Sequence, residues 1–166
     1  AYVVRTFGSK DALFGETASR ALDRIVAVFR DAADASGERD LEERLGRAYL
    51  RLVADRGILL TFMQLLALGH HPEFGPLARR GILSIYRVLR DEADLSSEQV
   101  AAFLAKGTLI NAILGLRLPD AAGGDADMRE LLDATFGSAT DEVVALTTQQ
   151  PPLPPSARSG SRLGRA

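Results

Sequence analysis

The sequence predicts an all-α fold, and three observations carry that prediction. Apolar residues return at spacings of three and four along most of the chain, residues that cap helices stand ahead of those stretches, and the strict alternation of a strand never persists. At 166 residues the chain has room for one domain with a proper core. Apolar residues make up 46% and charged residues 25%, an ordinary soluble-protein balance.

The first long stretch runs from Lys10 to about Ala35, with Ser9 as its cap and Ser36-Gly37 as its end. Leu22, Ile25, Val26, Phe29 and Ala33 form one stripe along it. Asp40 and Glu43 in "DLEE" read as a capping box for a helix striped by Leu41, Leu45, Ala48 and Leu52. Gly57 then reads as a break. "ILLTFMQLLAL" at 58 to 68 follows as a helix buried on most sides, ended by Gly69 in a left-handed turn. "HHPEFGP" reads as a loop, and Leu77 to Ala93 as a helix with Ile82, Ile85, Tyr86 and Leu89 inward. Ser96 and Gln99 box the next helix, which extends to about Leu116. After the Pro119 and "AAGGD" loop, Asp127 and Glu130 read as a box for a last helix to about Thr147. Residues 148 to 166 hold Pro, Gly, Ser and Arg with little to bury, and read as a disordered tail.

Composition removes several function classes. The formal charge is −2, and the tail contributes Arg158, Arg162 and Arg165 without any acid, so the rest is more acidic still. Such a body has no basic field for nucleic acid. With no Cys there is no disulfide, thiolate metal site or cysteine nucleophile, and a cytoplasmic location fits. The longest apolar run is too short for a bilayer of about 30 Å, so no membrane partner is expected. His70, His71 and Glu73 lack metal-ligand spacing, and "DEAD" at 91 to 94 lacks the phosphate loop of a helicase. No nucleophile set, metal set or cofactor motif supports an enzyme.

Polar residues inside apolar helices are more informative. Thr61, Gln64, Thr108 and Asn111 sit among Phe62, Met63, Leu66, Tyr86, Leu104 and Leu114. A buried amide left unpaired costs roughly 1–3 kcal/mol, so these groups either bond within the core or line a cavity. Phe62, Met63, Leu66, Tyr86, Thr108 and Asn111 are the candidate pocket residues, and their apolar majority points to a small lipophilic or aromatic ligand. Small residues also recur on the last two helices, among them Ala101, Ala105, Gly107, Ala134 and Gly137. They let helices approach closely and suggest self-association.

The opening stretch adds a resemblance. "VVRTFGSKDALF" resembles the junction of TetR-family transcriptional regulators, where a recognition helix ends in a pattern like "LYxHFxSKExLF". Phe7, Gly8, Ser9, Lys10, Ala12, Leu13 and Phe14 match; Asp11 replaces Glu, Val4 the common Tyr and Thr6 the common His. "FLAKGTLINAILGL" at 103 to 116 is similar to the family's penultimate helix.

The resemblance implies three parts: residues 1–8 as the end of the recognition helix of a truncated helix-turn-helix, 9–147 as a helical effector-binding and dimerisation body, and 148–166 as the tail. It implies a homodimer whose last two helices pair as a four-helix bundle, with Leu104, Ile113, Leu132, Phe136 and Val143 as interface candidates. Tyr2, Arg5, Thr6 and Lys10 would meet double-stranded operator DNA, Lys10 at a helix N-terminus suited to a phosphate. The implied function is a repressor released from its operator by a small lipophilic effector. The competing reading is a helical dimerisation or protein-interaction module that binds no DNA itself.

Overall fold

The computed structural model describes residues 10–35 and 40–148, and these are helical with no strand among them. Helix α1 (Lys10–Asp34) is the hub. Ala18, Leu22, Ile25, Phe29 and Ala32 turn its buried stripe toward α2 (Leu41–Val53), α3 (Arg56–Ala67) and α4 (Phe74–Arg87). Asp40 caps α2 by accepting the Glu43 N–H at 2.7 Å, and the Glu43 carboxylate holds Arg47. The inward face of α2 is Leu45, Tyr49, Leu52 and Val53.

Gly57 is not a break. Asp55 takes an extended conformation and accepts the Gly57 and Ile58 N–H groups, so α3 starts at Arg56 and Gly57 lies in its first turn. Gly69 is not left-handed either, because the left-handed positions among the described residues are Asp94, Arg117 and Gly137. The connection to α4 is instead a close crossing. A Cβ on Gly75 would fall onto the Gly69 carbonyl oxygen, and Arg79 also donates to that oxygen at 3.3 Å. Helix α4 begins at Phe74, earlier than the sequence suggested, since Pro76 stands in the first turn where its missing N–H is harmless. Its end widens into a π-type turn at Val88–Glu92, where Ala93 donates back to Val88. Asp94, at φ 54°, then stops the helix, and Arg30 of α1 grips Glu92 with two bonds of 2.6 and 2.9 Å.

Helix α5 (Ser97–Gly115) carries the full capping box of Ser96 and Gln99. A short 3-10 turn, Leu118–Ala121, leads to α6 (Ala126–Phe136). The cap of α6 is Asp125, which accepts the Met128 N–H at 3.0 Å; Asp127 lies inside the first turn. The single last helix expected from the pattern is broken: Gly137, at φ 55°, ends α6, and a 3-10 turn at Gly137–Ala139 leads into α7 (Thr140–Thr148). The Thr140 hydroxyl closes the bend by donating to the Gly137 and Leu132 carbonyls, at 2.9 and 3.3 Å. The cap Ser9 and the tail from 149 onward lie outside the described residues. No helix among the described residues is long and apolar enough to cross a membrane.

Candidate functional site: a cleft between α1 and α5

The main core leaves a cleft of about 270 Å³ unfilled. Its walls come from all five of the first helices: Ile25 and Phe29 of α1, Tyr49 of α2, Phe62 and Leu66 of α3, Ile82 and Ile85 of α4, and Phe103, Leu104, Ala105, Gly107, Thr108 and Asn111 of α5. None of these lining residues is charged. The rings interlock at the back. Phe29 stacks on Tyr49 with centroids 5.6 Å apart and meets Phe103 edge-on at 5.5 Å.

Tyr49 and Asn111 form the polar floor. The Tyr49 hydroxyl donates to Asn111 Oδ1 at 2.6 Å, across two helices far apart in sequence. Both residues are 5% exposed. Burial pushes the Tyr49 pKa up to about 12, with the Asn111 bond opposing, so the hydroxyl stays a neutral donor at ordinary pH. Nearer the rim, the exposed Thr108 donates its hydroxyl to the Leu104 carbonyl at 2.9 Å. Tyr49, Phe103 and Gly107 also wall a second, wider cleft of about 360 Å³, which has a charged rim including Glu42, Arg47 and Lys106.

Of the six candidate pocket residues, the structure brings Phe62, Leu66, Thr108 and Asn111 to the cleft. Met63 turns to α5, where a Cβ on Gly115 would lie 2.8 Å from its sulfur. Tyr86 points away: its hydroxyl shares a 2.8 Å bond with the Ser97 hydroxyl, and the Arg90 guanidinium lies 5.2 Å over its ring. The Ser97 bond and then Arg90 hold the Tyr86 pKa below its usual value. Thr61 is half-buried and Gln64 exposed, so neither contributes to the floor. The lining residues outside the six candidates include the three rings of Tyr49, Phe29 and Phe103. A tyrosine one turn beyond Leu45 was the available signal, because a buried hydroxyl needs a partner and Asn111 needed one too.

The interface candidates divide. Ile113, Leu132 and Val143 are buried within the one chain and are core rather than surface. Leu104 and Phe136 are half-buried. The exposed large apolar residues of this end are Leu109, Leu116, Leu131 and Leu146. Of the DNA-contact candidates, Lys10 is the exposed first residue of α1, whereas Tyr2, Arg5 and Thr6 lie outside the described residues. Phe14, in the next turn, packs edge-on against Phe74 at 5.0 Å. His71 stacks on Phe74 and accepts the Glu73 N–H, and no cluster of metal-binding side chains occurs among the described residues.

The geometry defines a helical bundle with an uncharged, aromatic-backed cleft. Comparison of the chain with known family models, curated proteins and solved structures returned no match.

Proposed function

We propose that this chain is the effector-binding and pairing body of a ligand-responsive, DNA-binding transcriptional regulator of the TetR type. In this reading a homodimer represses by holding double-stranded operator DNA and leaves it when a small lipophilic effector occupies the cleft. The observation that carries the reading is the position of α1. Its first residue, Lys10, belongs to the junction-like stretch, and its middle supplies Ile25 and Phe29 to the cleft. A ligand pressing on Phe29 acts on the same rigid element that leads to the junction. The coupling such a device needs is about 1–3 kcal/mol, and it arises only if the ligand prefers one of two α1 positions.

Pairing is assigned to the outer face of α5, where Ala101, Ala105, Leu109 and Leu116 are exposed. The acidic composition of the chain favours a second reading, a helical dimerisation or protein-interaction module without its own DNA binding. Selection from random duplexes at low salt with the full-length protein separates the two. Enrichment of an inverted repeat, lost on adding a lipophilic effector, is the expected result. Failure to retain any duplex overturns the regulator reading in favour of the interaction module.

A further inference from the structure

The cleft is uncharged, yet one donor in it stands without a protein partner. Asn111 is nineteen-twentieths buried (5% exposed), and its one side-chain hydrogen bond among the described residues is the bond its Oδ1 accepts from Tyr49. The amide nitrogen is therefore left over. It is not sealed in the core, because Arg56 Nε is the one sealed, unpartnered side-chain atom among the described residues. The space it reaches is the cleft that Asn111 lines.

We infer that the cleft takes an uncharged, largely apolar molecule bearing one hydrogen-bond-accepting oxygen, a ketone or other carbonyl, which receives the Asn111 amide N–H. The inference rests on the cleft being the effector site proposed above. Three features shape it. Tyr49 donates to Oδ1 and so fixes the amide with its N–H groups turned outward, making Tyr49 a positioning residue. No cation lines the walls to offset the dehydration of a carboxylate or phosphate, so an anion is rejected. The volume, about 270 Å³, exceeds the roughly 150 Å³ of a cavity that accepts benzene, and the back wall of Phe29 and Phe103 suits a flat body of one or two rings.

The test compares the affinities of three near-isosteric probes for the full chain: acetylnaphthalene, ethylnaphthalene and naphthoate. An apolar hollow alone favours ethylnaphthalene, because the ketone must give up water. A waiting N–H reverses that order. Acetylnaphthalene is expected to bind about tenfold more tightly than ethylnaphthalene, with naphthoate weaker than both. Asn111→Leu keeps the volume and is expected to erase the ketone preference while ethylnaphthalene still binds. Tyr49→Phe frees the amide to rotate and is expected to cut the preference about threefold. Should Asn111→Leu fail to fold, as circular dichroism reports, the wild-type order and Tyr49→Phe still decide. Equal binding of ketone and hydrocarbon, tightest binding of naphthoate, or a preference that survives both variants overturns the inference and leaves the cleft as a ligand site. Failure of all three probes to bind the wild-type chain overturns the cleft reading itself.

Discussion

Helices α2 and α4 of the body around α1, and helix α5, which leads into the corner with α6 and α7, are different kinds of helix. In the body, α2 and α4 carry one apolar stripe each, with Arg47, Arg51, Arg79 and Arg80 outside it, and α1 collects both stripes. In the corner, α5 carries apolar residues on both its inner and its outer side, with Lys106 and Thr108 as exposed polar exceptions. Val100, Ile110, Ile113 and Leu114 face inward, while Ala101, Ala105, Leu109 and Leu116 face out, Leu116 at 71% exposure. An amphipathic helix tells the folding chain which side is in; one with apolar residues on both sides leaves that choice to its neighbours. The body is therefore specified by its own sequence, and the corner retains apolar surface after the chain has folded.

Truncating the core on each side measures this contrast most strongly. Leu45 in α2 and Leu132 in α6 are both fully buried. Leu45→Ala is expected to cost about 3–5 kcal/mol, because the helices packed around it cannot collapse into the hole. Leu132→Ala should cost about 2–3 kcal/mol, since α6 packs chiefly on the short α7 and the flanking 3-10 turns, which can settle inward more readily than long helices. Urea unfolding of both variants checks the order, and equal losses would remove the distinction between the regions.

Close backbone approach gives the next effect. Gly75 lies against the Gly69 carbonyl, a backbone atom that cannot swing aside. Gly75→Ala should destabilise by about 2 kcal/mol despite the better helix propensity of alanine. Gly46, which borders the second cleft with nothing within 4 Å of an added Cβ, is the control: Gly46→Ala should stabilise by about 0.5–1 kcal/mol. Thermal unfolding of the pair reads both signs.

Burial at the seam between the regions has a pH signature. Tyr49 ionises near 10 when unfolded and at about 12 in the native chain, so the native state holds its proton longer. The sign follows: stability is constant with respect to this group below pH 10 and falls as pH rises from 10 to 12, by on the order of 2 kcal/mol. Tyr49→Phe should lose about 1 kcal/mol at neutral pH and flatten the alkaline decline. A decline that persists in Tyr49→Phe would assign it to other groups.

How much of this was legible in the sequence follows the same division. The body stripe of α1, the Asp40 cap and the Ser96–Gln99 box could be read because local chemistry fixes each. The Gly137 break was hidden by the apolar pattern running through it, and the start of α4 by the loop-like look of "HHPEFGP". Four cleft residues were named from polar interruptions in apolar helices. Tyr49 is not legible in the same way, because its register with Asn111, 62 positions away, is set by packing rather than by any local pattern. That Ile113, Leu132 and Val143 are buried inside the chain is not legible in spacing: α5 carries apolar residues on two sides, and Leu132 and Val143 lie on either side of the Gly137 bend.

The smallest expected effect on folding is the sharpest probe of that outer face. Leu109 and Leu116 lie on one side of α5, two turns apart, and both are exposed. Leu109→Glu with Leu116→Glu removes little buried area from the folded chain, so its unfolding free energy should change by no more than about 0.5 kcal/mol at concentrations where it is monomeric. If the face pairs two copies, the same substitutions place like charges in an apolar contact and the dimer should be lost, which sedimentation velocity across a concentration series reads directly. Leu83, exposed on α4 in the body, supplies the comparison: Leu83→Glu should leave the sedimentation profile unchanged. A chain that sediments identically with and without the α5 pair would mean that the leftover apolar surface of the corner is simply solvated, and that its difference from the body ends with the fold.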